Sequence, residues 1–125
     1  MTSRVRTVTF DAHDPYTLAG FWLQVLRVER PADDAPGDPY AAVPTESMTL
    51  LFEQNNDGKA GKNRLHLDLE PDGPRDEEIA WLLTLGATLA NDHRNPDGTG
   101  WAVMQDPEGN EFCVLRSAAE RAATP

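Results

Sequence analysis

The chain has 125 residues, 39% hydrophobic and 26% charged, a balance that supports one ordinary globular domain with a buried core and excludes a disordered chain. Its formal charge of −10 gives a surface that repels phosphate backbones, which argues against nucleic acid as a partner; the same charge draws in cationic ligands or serves only solubility. No apolar run approaches the roughly 20 residues needed to span a bilayer, no signal-peptide core precedes the first strand, and the single cysteine, Cys113, allows neither an internal disulfide nor a cysteine-rich zinc site, so a cytoplasmic protein without a membrane partner is expected.

In chain order, Val5 to Phe10 alternates and is rich in β-branched residues, which predicts a strand. Asp14-Pro15-Tyr16-Thr17 breaks it, with Pro15 near a helix start and Thr17 reading as the N-cap. Leu18, Phe21, Trp22, Val25 and Leu26 then follow helical spacing, which predicts one amphipathic helix. The proline-rich residues 30 to 47 read as a loop with a short strand around Tyr40 to Val43, and Ser47 to Glu53 as a second clear strand. Gln54 to Gly61 is a polar linker between halves.

The second half opens with the strict alternation of Asn63 to Leu69, with Leu65, Leu67 and Leu69 on one face and Arg64, His66 and Asp68 on the other. After a turn at Pro71 to Pro74, Asp76 caps a predicted helix that Gly86 ends. Ala87 to Ala90 reads as a short strand and Asn91 to Gly100 as a loop holding a solvated His93. Trp101 to Gln105 and Glu111 to Leu115 are strands joined by the tight turn Asp106-Pro107-Glu108-Gly109-Asn110. Ser117 to Pro125 is a short Ala-rich tail, expected to fray.

Shifted by 59 positions, Pro15 meets Pro74, Trp22 meets Trp81, Leu23 meets Leu82 and Leu26 meets Leu85; Thr7 meets His66. A shift of 63 then aligns Pro44 with Pro107 and Met48–Phe52 with Glu111–Leu115. That alignment turns Leu50 and Phe52 inward and Glu53 outward, while a slip of one residue would bring Glu53 inward beside His66. Each half therefore reads strand, helix, then up to three strands. A sheet with one helix leaves its other face bare, and a second copy supplies a partner. Leu65, Leu67 and Leu69 would lie under the helix, with Arg64, His66 and Asp68 facing a central cavity.

Lys62-Asn63-Arg64-Leu65-His66-Leu67-Asp68-Leu69, then Leu85-Gly86-Ala87-Thr88, then Gly98 to Leu115 with its Asp106-Pro107-Glu108-Gly109-Asn110-Glu111-Phe112-Cys113 core, resemble the glyoxalase-like domain family of the glyoxalase/bleomycin-resistance/dioxygenase (vicinal oxygen chelate) superfamily. The first half matches more loosely, through Asp14-Pro15 and Phe21-Trp22. The resemblance spans about residues 4–116, as halves of about 4–57 and 62–116, and leaves 117–125 as a tail. It implies an α+β fold in which two βαβββ modules form a curved mixed sheet around a central cavity, and a homodimer. The superfamily's enzymes hold a divalent ion with four ligands, two per half, usually His or Gln in a first strand and Glu in a last one. Carried over, the positions are Thr7, Leu50, His66 and Cys113, of which only His66 is a usual ligand. No cofactor is therefore expected, with a weakly held divalent metal as the alternative.

Among the candidate residues, His66 reads either as an acid/base in the cavity or as a histidine satisfied by Asp68, which would orient its ring. Arg64 would pair with an acid at the rim or clamp an anionic group. Cys113 reads as an inert filler, or as a nucleophile if His66 lies against it. Trp101 follows Gly98-Thr99-Gly100 and would stack on a ligand at the cavity mouth, with Phe52 also turned inward. Trp22 and Trp81 read as core. Two functions follow. One is capture of a small, cationic aromatic ligand in a metal-free cavity, as in bleomycin resistance; the other is a lyase or isomerase using His66, with or without an ion. A third reading is an assembly module whose cavity its own side chains fill.

Overall fold

The β-branched alternation at the N-terminus and the apolar spacing after Pro15 produce the elements expected of them, β1 (Thr7–Ala12) and α1 (Pro15–Leu26). Thr17 is not the cap. The Asp14 carboxylate accepts from the Thr17 amide at 3.2 Å and its hydroxyl at 2.7 Å, because Pro15 at the first helical position leaves the preceding residue to satisfy the free amides. α1 buries Leu18, Ala19, Phe21, Trp22, Leu23 and Val25.

The computed structural model describes all 125 residues, and the chain divides into two units, Met1–Gly58 and Lys59–Pro125. In the first, β2 (Tyr40–Pro44) and β3 (Thr49–Gln54) join β1 in a mixed sheet of order β1-β3-β2. β1 runs parallel to β3, and β2 antiparallel to it. The proline-rich segment before Tyr40 forms turns instead of a strand, so this module is one strand short of βαβββ.

The second unit has the full pattern: β4 (Leu67–Leu69), α2 (Arg75–Thr84), β5 (Thr88–Arg94), β6 (Gly100–Gln105) and β7 (Glu111–Val114), followed by α3 (Ala118–Ala123). Its mixed sheet has the order β4-β7-β6-β5, with β4 parallel to β7 and the remaining pairs antiparallel. In each unit alternate strand residues turn toward the helix and form a core: Val43, Leu50 and Phe52 with Leu18 and Trp22 in the first, Ala102, Met104, Phe112 and Val114 with Ile79 and Leu82 in the second. Each fully buried large apolar side chain stabilises by about 1.5–3 kcal/mol.

Four expectations need correction. β4 is shorter than its alternation suggests. The chain bends at Arg64 and Leu65, where Asn63 is tied to Glu111 through its amide (3.0 Å) and to Asn110 through its side chain (2.8 Å), and Leu65 is left 80% exposed and not beneath α2. β5 runs on to Arg94 through a bulge between Leu89 and Asn91, which puts His93 in a strand. The tail is helical from Ala118, held by a reciprocal capping box between Ser117 and Glu120. α2 starts after Pro74 with no side-chain cap, and Asp76 lies in its first turn.

The repeat is real but its register differs. Pro44 faces Thr49 as Gln105 faces Glu111, and Phe10 faces Phe52 as Leu69 faces Val114. Leu51 therefore corresponds to Cys113, and Leu50 and Phe52 point at α1, where the Phe52 ring stacks on Phe10 at 5.2 Å. The cause is the turn before each last strand. It closes from Thr45 to Met48 in the first unit but from Asp106 to Asn110, one residue longer, in the second. Glu53 thus lies on the face turned away from α1, the slipped register.

Candidate functional site

Strand alternation leaves Asp68, Trp101, Val103 and Cys113 on the face of the second sheet turned away from α2. Asp68 lies directly across the parallel β4–β7 pair from Cys113, and His66, just before β4, brings Nε2 to 3.3 Å from Asp68 Oδ1. The imidazole, carboxylate and thiol donor atoms all lie within 4.8 Å of one another. Burial pushes the Cys113 thiol above its ordinary pKa, and the charge and hydrogen bond of Asp68 push it the same way against a weaker pull from Lys62. Cys113 is therefore a thiol turned toward a carboxylate, with no cation pressed on it to make a thiolate. His66 spends its contact on Asp68, the carboxylate-oriented arrangement.

Trp101 is 56% exposed yet firmly held. His93, opposite it on β5, stacks on the indole at 4.5 Å between ring centres. The loop leading into Trp101 is gripped by Arg75, a residue only 3% exposed, whose guanidinium donates to the carbonyls of Gly100 (2.7 Å), Gly98 (3.1 Å) and Thr99 (3.3 Å). Gly100 has φ 85° and passes so close to β5 that an added Cβ would lie 2.0 Å from the His93 carbonyl oxygen, so no other residue fits there. Arg94 fastens β5 to α2 through Asp76 and to Asp92, each at 2.9 Å, and its two hydrogen bonds pull Asp92 down to about 2.

An open depression of about 470 Å³ lies beside this face, lined by Trp101, Cys113, Asp68 and Leu115 and also by Glu70, Arg75, Arg116 and Arg121. Of the residues expected to form a site, His66, Asp68, Cys113 and Trp101 come together on the second unit. Arg64 is exposed in the bend before His66 and forms no salt bridge. Phe52 is fully buried under α1. Sequence reasoning missed His93, Arg75, Arg116 and Arg121; the position of Arg75 one residue after the helix-starting Pro74 carried no chemical signal. It also missed Tyr40, which stands in the first sheet where Trp101 stands in the second and donates from its hydroxyl to Glu53 at 3.3 Å.

The order of elements and the mixed sheets define an α+β fold of two βαβββ-like modules, the fold of the vicinal oxygen chelate superfamily. The chain belongs to the glyoxalase-like domain family, whose sequence profile matches residues 7–115. It is similar in structure to a glyoxalase/bleomycin resistance protein/dioxygenase family enzyme from Burkholderia phytofirmans PsJN (TM-score 0.70, 18% identity, 90% of this chain and 97% of that one). It is also similar to the fosfomycin resistance protein FosX from Mesorhizobium loti (0.67, 15%, 98% and 99%) and to lactoylglutathione lyase from Agrobacterium tumefaciens (0.60, 20%, 91% and 93%). No curated protein sequence matches it. No helix is long and apolar enough to cross a membrane.

The superfamily's divalent ion needs two ligands from each module. With the register corrected, the four positions are Thr7, Leu51, His66 and Cys113, and a leucine and a threonine do not replace an imidazole and a carboxylate. Asp68 adds a donor in the second unit, and Glu53, on the same face of the first sheet as Leu51, accepts from the Tyr40 hydroxyl and stands outside the His66–Asp68–Cys113 cluster. The residues present do not fit the family's four-ligand centre.

Proposed function

We propose that this chain binds a small organic molecule on the second sheet, over Trp101 and beside Cys113 and Asp68, without a resident divalent ion, in the manner of a resistance protein that sequesters its ligand. The observation that carries this reading is Trp101. A large indole more than half exposed is costly to leave in water, and here three separate devices (the His93 stack, the Arg75 grip and the Gly100 close approach) fix it at the wall of a depression. A rigid aromatic shelf binds planar ligands with little entropy loss. The donor chemistry at Thr7 and Leu51 and the protonated state favoured for Cys113 support binding over metal-assisted or thiolate chemistry. A homodimer, common in the family, is the expected assembly.

The test is a thermal-shift screen of small aromatic compounds on chelator-treated protein, with Trp101→Ala beside the native chain. Compounds that stabilise the native chain and not the variant support the proposal; stabilisation that appears only on adding a divalent ion, or that ignores Trp101, refutes it. One observation favours a second reading, a lyase or isomerase. His66 is oriented by Asp68 at 3.3 Å, as a general base would be. Turnover abolished by His66→Ala with ligand affinity retained would establish it.

A further inference from the structure

We infer that the ligand of this site is an acid: a planar apolar body that stacks on Trp101, with a carboxylate or similar anionic group directed to the arginines that line the depression. The inference rests on the proposed binding site and names its ligand class. Overall charge points the other way, since the chain carries −10 and would favour cations. The depression is locally different.

Two acids and three arginines border it, and their partners differ. Each acid already has side-chain partners. Asp68 has the His66 ring at 3.3 Å and the Cys113 thiol, and Glu70 is paired with Arg121 at 3.1 Å. Arg75 and Arg116 have no carboxylate on their guanidinium groups. The Arg75 guanidinium donates to the carbonyls of residues 98–100 and leaves its buried Nε without a partner, while the Arg75 backbone amide donates to the Glu120 carboxylate at 2.9 Å, and the Arg116 guanidinium donates to the Thr124 carbonyl. Neutral carbonyls satisfy hydrogen bonds without cancelling the charge, and the carboxylates that act on these two groups, Glu120 and Asp92 on Arg75 and Asp97 on Arg116, do so across space without pairing with either guanidinium. A buried guanidinium in that state favours an anion nearby, more strongly than a surface cation would because less water screens it. Arg75 is buried at the depression, and the half-buried Arg116 is the guanidinium more open to a ligand, with the fork that suits a carboxylate. Trp101, at the same depression, sets the other requirement, a flat apolar body.

Three probes of one shape separate the charge claim from the site claim: 2-naphthoate, neutral 2-naphthamide and cationic 2-naphthylmethylamine. Their affinities are measured by calorimetry on the native chain, Trp101→Ala and Arg116→Gln, with far-ultraviolet circular dichroism confirming the fold of each variant. The acid should bind roughly fivefold or more tightly than the amide, and the amine most weakly. That preference should shrink with added salt and be largely lost in Arg116→Gln, with amide binding falling much less than acid binding. Should Arg116→Gln fail to fold, the salt dependence on the native chain decides alone. Trp101-dependent binding with no preference for the acid overturns the ligand class and leaves the site standing. If no probe binds in a Trp101-dependent way, both fall.

Discussion

Replacing Arg75 by methionine tests how the indole shelf is held. The side chain is 3% exposed and its guanidinium makes three hydrogen bonds to loop carbonyls, at 2.7, 3.1 and 3.3 Å. Methionine fills the aliphatic path of arginine but returns none of these bonds. The acceptors are neutral carbonyls in a loop, so each bond is set at the upper part of the ordinary range, roughly 1–1.5 kcal/mol net, the longest least. Against this stands relief of a desolvated cation whose Nε already lacks a partner, which offsets about 1 kcal/mol. The expected loss is about 2–3 kcal/mol, or roughly 10 °C in melting temperature for a chain of this size. Lysine, which keeps the charge but not the fork, should recover less than half. The assay is urea unfolding followed by circular dichroism, paired with fluorescence of Trp101 in a background where Trp22 and Trp81 are phenylalanine. The indole emission of the variant should shift red and become easier to quench as the loop loosens. A midpoint within about 0.5 kcal/mol of the native chain, with unchanged quenching, would refute the claim that Arg75 fixes Trp101.

Three further outcomes follow. Burial works to raise the Glu111 carboxyl, but the Lys59 ammonium at 2.8 Å and the Asn63 amide outweigh it and hold Glu111 at about 2, below its ordinary 4.5. Its stabilisation is therefore complete above about pH 4.5 and fades as pH falls toward 2; Glu111→Gln should flatten that part of an acid titration by on the order of 1–2 kcal/mol, and an unchanged titration would contradict the pairing. Phe52→Leu should cost roughly 1 kcal/mol or more of stability and leave ligand affinity untouched, because the ring packs on Phe10 beneath α1; lost affinity in a stably folded variant would place it in the site after all. Iodoacetamide should alkylate Cys113 more slowly than it does free N-acetylcysteine at neutral pH, and Asp68→Asn should speed the reaction by removing the carboxylate that disfavours the thiolate. A native rate at or above the free thiol's would revive a Cys113 nucleophile.

The second module was the more legible in sequence, because Asp106-Pro107-Glu108-Gly109-Asn110 marks a turn by its chemistry and the flanking Met104, Phe112 and Val114 declare a buried face by alternation. The first module has no such anchor. Pro44 and Pro107 match in sequence but not in structure, because one extra residue in the second turn moves every later position by one, enough to exchange the two faces of a strand. That slip is why Phe52 read as a ligand contact. Leu65 alternated like a strand residue, but the bonds of Asn63 to Glu111 and Asn110 bend the chain before pairing starts, and such cross-chain ties have no local signature. His66 and Asp68 were found because period-two spacing puts them side by side. Arg75 and His93 meet the Trp101 loop and ring only through the packing of α2 and β5, and Arg116, just before α3, lines the same depression; their spacing along the chain carries no sign of it.

The claim on which the rest depends is that the Trp101 surface takes an organic ligand with no metal ion present. The most direct measurement is the ¹H–¹⁵N spectrum of chelator-treated protein during titration with 2-naphthoate, in which the three tryptophan indoles report separately. The Trp101 signal should move saturably, while that of Trp22, buried in the first unit, stays in place. A Trp101 signal that stays still until a divalent ion is restored, and moves only then, would contradict the account.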